Sequence, residues 1–73
     1  MKSYEAIRDI LVREGANAYD ISRLIRRTRT YVINIISRKL DTRVSTLVEI
    51  LDALGYDLVA RSREDGFEFD IDS

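Results

Sequence analysis

Apolar positions recur with helical spacing as far as Gly55 and with a period of two beyond it. Tyr4, Ile7, Ile10 and Leu11 fall at i, i+3, i+6 and i+7, which predicts a helix from about Tyr4 to Glu14. Ser3 is its candidate cap and Gly15 its terminator. Asn17 caps a second helix, with Asp20 as a weakened capping-box partner, and Ile21, Leu24 and Ile25 form its apolar stripe. Val32, Ile35 and Ile36 repeat the i, i+3, i+4 spacing in a third helix, for which Thr28 is the expected cap. Ser37 to Thr42 reads as a loop. Val44, Leu47, Val48, Ile50, Leu51 and Leu54 line the buried side of a helix from about Val44 to Leu54, ended by Gly55.

After Gly55, Phe67, Phe69 and Ile71 share one face of an extended segment, and Glu68, Asp70 and Asp72 share the other. Asp65-Gly66 between two alternating runs is a hairpin signal. A two-residue loop there sets Arg63 opposite Glu68, Arg61 opposite Asp70, Ala60 opposite Ile71 and Ser62 opposite Phe69. A three-residue loop sets Arg63 against Phe67 and Arg61 against Phe69. Pairing of opposite charges favours the first register. The expected fold is mainly α: a compact bundle of four or five helices with a C-terminal antiparallel β-hairpin. One domain is expected over residues 1–73, with a helical core to residue 55 and the hairpin from residue 56.

Asp20 to Arg38 is the stretch around which this pattern is organised. Its two helices are joined by a short basic turn, and the surface left by the third apolar stripe carries Arg29, Thr30, Ile33, Asn34 and Ser37. Those residue types suit the major groove of a duplex, where Arg bonds guanine bidentately, Asn bonds adenine and Thr reaches either edge. From Ile21 to Gly55 the chain resembles the phage-repressor/Cro-type helix-turn-helix (XRE) family. The resemblance rests on Ile21-Ser22, Ile25, Thr28, Val32 and Ile35, and on Thr46-Leu47 running to Ala53-Leu54-Gly55. It implies that the helix carrying Asn34 reads DNA and that the Val44–Leu54 helix closes the core behind it. Three positions depart from the family. Ala18 stands where a polar phosphate-clamping side chain is common, and Thr42 where Pro often precedes the fourth helix. Arg26 stands where Gly is usual, so the turn either lacks a left-handed residue or holds Arg there at roughly 1 kcal/mol.

The net charge of -1 hides an asymmetry. Seven basic residues lie from Arg23 to Arg43 against the single acid Asp41, whereas the chain from Glu64 onward carries five acids and no base. Phosphate binding depends on charge within a Debye length, so the local cluster outweighs the acidic whole-chain balance. Arg23, Arg26, Arg27, Thr28, Tyr31, Arg38, Lys39 and Arg43 are candidate phosphate contacts. Arg29, Thr30, Ile33 and Asn34 are candidate base contacts. Two readings stay open for Ile33, a thymine methyl or a subunit contact, and two for Tyr31, a phosphate or packing on the first helix. Solvation alone is the competing account of the basic loop.

Without Cys or His, thiolate and imidazole metal sites and His-based catalysis are excluded, and no cofactor or enzymatic activity is expected. No apolar run of about 18 residues and no signal-peptide core occur, so a soluble cytoplasmic protein is expected. The expected function is sequence-specific, double-stranded DNA binding by a homodimer on a palindromic operator, as a small transcriptional repressor. Phe67, Phe69 and Ile71 are the expected dimer interface, unless that face folds back onto the helices of its own chain. The alternative function is an antitoxin or other interaction module whose acidic hairpin covers a basic partner such as a toxin.

Overall fold

The computed structural model describes residues 1–72 and runs α1 (Ser3–Glu14), α2 (Ala18–Leu24), α3 (Tyr31–Ser37), α4 (Val44–Ala53), β1 (Leu58–Arg61) and β2 (Glu68–Ile71). The apolar stripes close on one core: Ile7 and Leu11 from α1, Ile21 from α2, Val32 and Ile35 from α3, and Ile50 from α4. Burying each such side chain stabilises the fold by roughly 1.5–3 kcal/mol. Ile10 and Val48 are half-buried and not in this cluster, and two expected core positions are exposed. Leu24 is 65% exposed because α2 ends there and only Ile21 and Ile25 of its stripe reach inward. Val44 is exposed at the first residue of α4, at the end of the helix away from Ile50 and Leu51.

All four helices end alike. The residue after the last turn has positive φ: Gly15 (62°), Arg26 (60°), Lys39 (53°) and Gly55 (81°). Its N–H and the next one both return to carbonyls of the last turn. Arg26 and Arg27 donate to Arg23 and Ser22, and Lys39 and Leu40 donate to Ile36 and Ile35. The double bond satisfies carbonyls that the helix leaves unpaired. Glycine enters this conformation freely, whereas Arg26 and Lys39 enter it at about 1–2 kcal/mol each. A cation beside a helix C-terminus offsets part of that cost.

The helix starts differ more from expectation. Ser3 does not cap α1; it is already helical, and Lys2 precedes it, donating its N–H to Glu5 Oε1 at 3.0 Å. The Ser3 hydroxyl instead accepts from the Thr42 N–H at 3.2 Å, fastening α1 to the loop before α4. Asn17 caps α2 as expected, its Oδ1 accepting from the Tyr19 N–H at 2.8 Å. Asp20 turns to Arg23, at 3.2 Å. Thr28 does not cap α3. The helix begins at Tyr31, and Thr30, which precedes it, makes no side-chain bond to its N–H groups. A long-range partner, Ser22, supplies that bond instead.

The hairpin forms with a register that differs from both expected ones: Leu58 faces Ile71, Val59 faces Asp70, Ala60 faces Phe69 and Arg61 faces Glu68. The connection is longer than Asp65-Gly66. Ser62 N–H donates to the Phe67 carbonyl at 2.8 Å, and Gly66 N–H returns to the Ser62 carbonyl at 3.0 Å, leaving Arg63 to Gly66 as the loop. Asp65 Oδ1 accepts from the Phe67 N–H at 3.0 Å, and this bond holds the Asp65 carboxyl below its ordinary pKa. The shift from the favoured register is two residues, so the strand faces keep their predicted composition.

The strands contact each other, and no helix packs closely along them. Leu58 and Ile71 are half-buried at the base of the hairpin. Towards the tip Phe67 and Phe69 are 59% and 67% exposed, their rings edge to face at 4.9 Å. The described residues extend over 40 × 23 × 20 Å. Tyr56 anchors the lead-in to β1, donating its phenol hydrogen to Glu14 Oε2 at 2.9 Å, a bond that holds its pKa above the ordinary value.

Candidate nucleic-acid interface

A small polar residue inside an apolar stripe sets the relation between α2 and α3. Ser22, completely buried, donates its hydroxyl to the Ala18 carbonyl at 2.8 Å and accepts from the Val32 N–H at 3.0 Å. A buried N–H must be paired, so the Val32 N–H at the start of α3 is met by α2 and not by the hydroxyl of a flanking threonine. The Tyr31 N–H is met by the Thr28 carbonyl at 3.0 Å.

With α3 starting at Tyr31, Arg29 and Thr30 belong to the turn before the helix and not to its first turn as expected, because the fixing point lies at Val32. Both are exposed, whereas Ile33 and Asn34 are half-buried on α3. Asn34 Nδ2 donates to Thr30 Oγ1 at 3.4 Å, linking helix and turn along one edge. Tyr31 is half-buried and packs on the core.

The arginines of α2 and the turn converge. Arg23, Arg26, Arg27 and Arg29 line a surface concavity of about 560 Å³ together with Tyr19 and Asp20. Arg23 pairs with Asp20, and Arg27 Nε lies 3.4 Å from Glu49 Oε1 of α4. The Arg27 guanidinium also sits over the Tyr31 ring, at 5.3 Å from its centroid, and that of Arg29 over the Tyr19 ring, at 5.4 Å. Exposed pairs of this kind are worth about 1 kcal/mol or less, so they orient the guanidinium groups while a phosphate can still displace them. Thr28 is exposed between these groups in sequence but does not line the concavity.

Arg38, Lys39 and Arg43 form no part of that wall. Arg38 and Lys39 follow the last turn of α3, Arg43 precedes α4, and all three are exposed. A seven-residue helix is roughly 10 Å long, so α3 carries Arg38 and Lys39 about that distance from its own start. The chemistry of the surface is thus a turn and short helix edge bearing Thr30, Ile33 and Asn34, flanked at both ends by cations.

Four contributors were not anticipated. Ser22 as a bridge was signalled by its position between Ile21 and Ile25, where a lone hydroxyl needs a partner. The Asp20–Arg23 pair has helical i, i+3 spacing and was readable. Tyr19 under Arg29 and Glu49 beside Arg27 join elements distant in sequence and carried no local signal.

Among the described residues no helix is long and apolar enough to cross a membrane. Comparison with known proteins finds no family model, no curated protein and no solved structure that matches this chain.

Proposed function

We propose that this chain is a sequence-specific, double-stranded DNA-binding regulator, acting as a homodimeric repressor in the cytoplasm. The observation that carries the reading is the convergence of Arg23, Arg26, Arg27 and Arg29 on one concavity beside α3, with Arg38 and Lys39 at the helix's far end and Arg43 at the start of α4. Cations at both ends of the α3 edge match phosphates on both sides of a groove, and Arg29, Thr30 and Asn34 offer the donors that base edges accept. The resemblance to the phage-repressor/Cro-type family supports the same reading. So does the hairpin. Its apolar face, with Phe67 and Phe69 exposed, is left uncovered by the helices, and a second copy would cover it. A two-fold dimer would present two α3 helices about 34 Å apart to a palindromic site.

Titration of a labelled duplex at increasing salt tests this. Neutralising several phosphates per subunit makes log affinity fall steeply with log salt. A flat dependence, or no duplex binding at low salt, contradicts the proposal.

The same hairpin supports a second reading. Its exposed aromatic pair and the acids Glu68, Asp70 and Asp72 suit a basic protein partner, as an antitoxin would require. A small toxin-like reading frame beside the gene, and a hairpin that binds its product, would favour that reading.

A further inference from the structure

Tyr19 lines the concavity beneath Arg29 and takes no part in the DNA contacts proposed above. It lies in the first turn of α2, where its own N–H is capped by Asn17 at 2.8 Å. Tyr19 is exposed, and its ring carries the Arg29 guanidinium 5.4 Å from its centroid. Arg29 itself sits in a turn with no helix to restrain it. Both Arg and Lys lose substantial rotamer freedom when a contact fixes them, and a planar guanidinium keeps its forked donors free when stacked on a ring face.

We infer that Tyr19 is a positioning residue for base readout: it pre-orients Arg29 through a cation–π contact and so sets discrimination at the base pair Arg29 meets. The inference rests on the DNA-binding reading above. Tyr19 touches no base in this account and acts only through Arg29. It requires the ring face and not the phenol hydroxyl, so Phe can replace it and Leu cannot.

The test compares wild type, Tyr19→Phe, Tyr19→Leu, Arg29→Ala and the Tyr19→Leu/Arg29→Ala double variant on the selected duplex and its single-base-pair variants. Tyr19→Leu is expected to lower discrimination at one base pair about two- to fivefold, the range an exposed cation–π contact supports. Tyr19→Phe should retain it, and the salt slope should not change. In the Arg29→Ala background Tyr19→Leu should have no further effect. Ring-current shifts of the Arg29 side-chain protons, measured by NMR without DNA, should be present in wild type and Tyr19→Phe and absent in Tyr19→Leu. Unchanged or sharpened discrimination in Tyr19→Leu, an equal effect on all sequences, or an effect that persists without Arg29 overturns the inference alone. A wild-type protein that selects no duplex overturns the DNA-binding reading and this inference with it, even where the ring-current shifts remain.

Discussion

Ser22 of α2 receives the Val32 N–H of α3 at 3.0 Å, a buried hydrogen bond spanning ten residues of sequence. It replaces a local cap by a tertiary one, so α3 can start correctly only when α2 is in place. Ser22→Ala leaves the Val32 N–H unpaired in the core and should cost about 1–3 kcal/mol in denaturant unfolding. Thr28→Ala, at an exposed residue that caps nothing, should change stability by less than about 0.5 kcal/mol. Equal effects of the two substitutions would contradict this assignment of the cap.

Arg26 tests whether a residue is held in strain for its charge. Arg26→Gly relieves a left-handed backbone and removes a favourable cation at a helix end, for a net stabilisation of about 0.5–1 kcal/mol. The same variant should bind duplex more weakly. A variant both less stable and unimpaired in binding would show that the arginine is retained for the fold.

These two residues also mark what was legible in the sequence. The helices themselves were readable because the i, i+3, i+4 spacing of apolar residues predicts them directly, and Gly15 and Gly55 end them where only a residue tolerant of positive φ fits. Arg26 and Lys39 end helices in the same way, but their conformation is imposed by the returning N–H bonds and by packing, against their own preference. The start of α3 was misplaced because Thr28 is a good cap locally and Ser22 is a better one through space. The hairpin faces followed from alternation, whereas its register depended on the Asp65 and Ser62 bonds that widen the loop to four residues. The basic cluster was legible as charge. Its division into a concavity before α3 and a second group after it was not, because turn geometry decides which arginines converge.

Asp65 gives the hairpin a pH dependence with a definite sign. Its folded-state pKa is depressed below the ordinary 3.8 by the Phe67 N–H, so the unfolded hairpin binds protons more readily than the folded one. The contribution is complete above the ordinary value and is lost as pH falls through the depressed one. The Phe67 amide resonance should report loop opening in that window, and Asp65→Asn should flatten the acid-side response. A hairpin that loosens equally in the variant would assign the effect to other carboxylates.

If the chain dimerises as proposed, Phe67 and Phe69 carry the subunit contact. Replacing both by Ser should weaken the dimer by roughly 3 kcal/mol or more, with helical circular dichroism retained, because no helix packs closely along the hairpin. Sedimentation over a concentration series reads this directly. A double variant that dimerises like wild type would place the subunit contact elsewhere, and one that loses its helices would show that the hairpin folds onto its own core.

The most direct measurement of the central claim is selection of bound sites from random duplex DNA by the purified protein at stated salt. The account predicts enrichment of a palindromic sequence whose half-sites lie about one helical turn apart, with Arg29→Ala relaxing preference at one base pair in each half. Recovery of unenriched sequence at every salt concentration would contradict it.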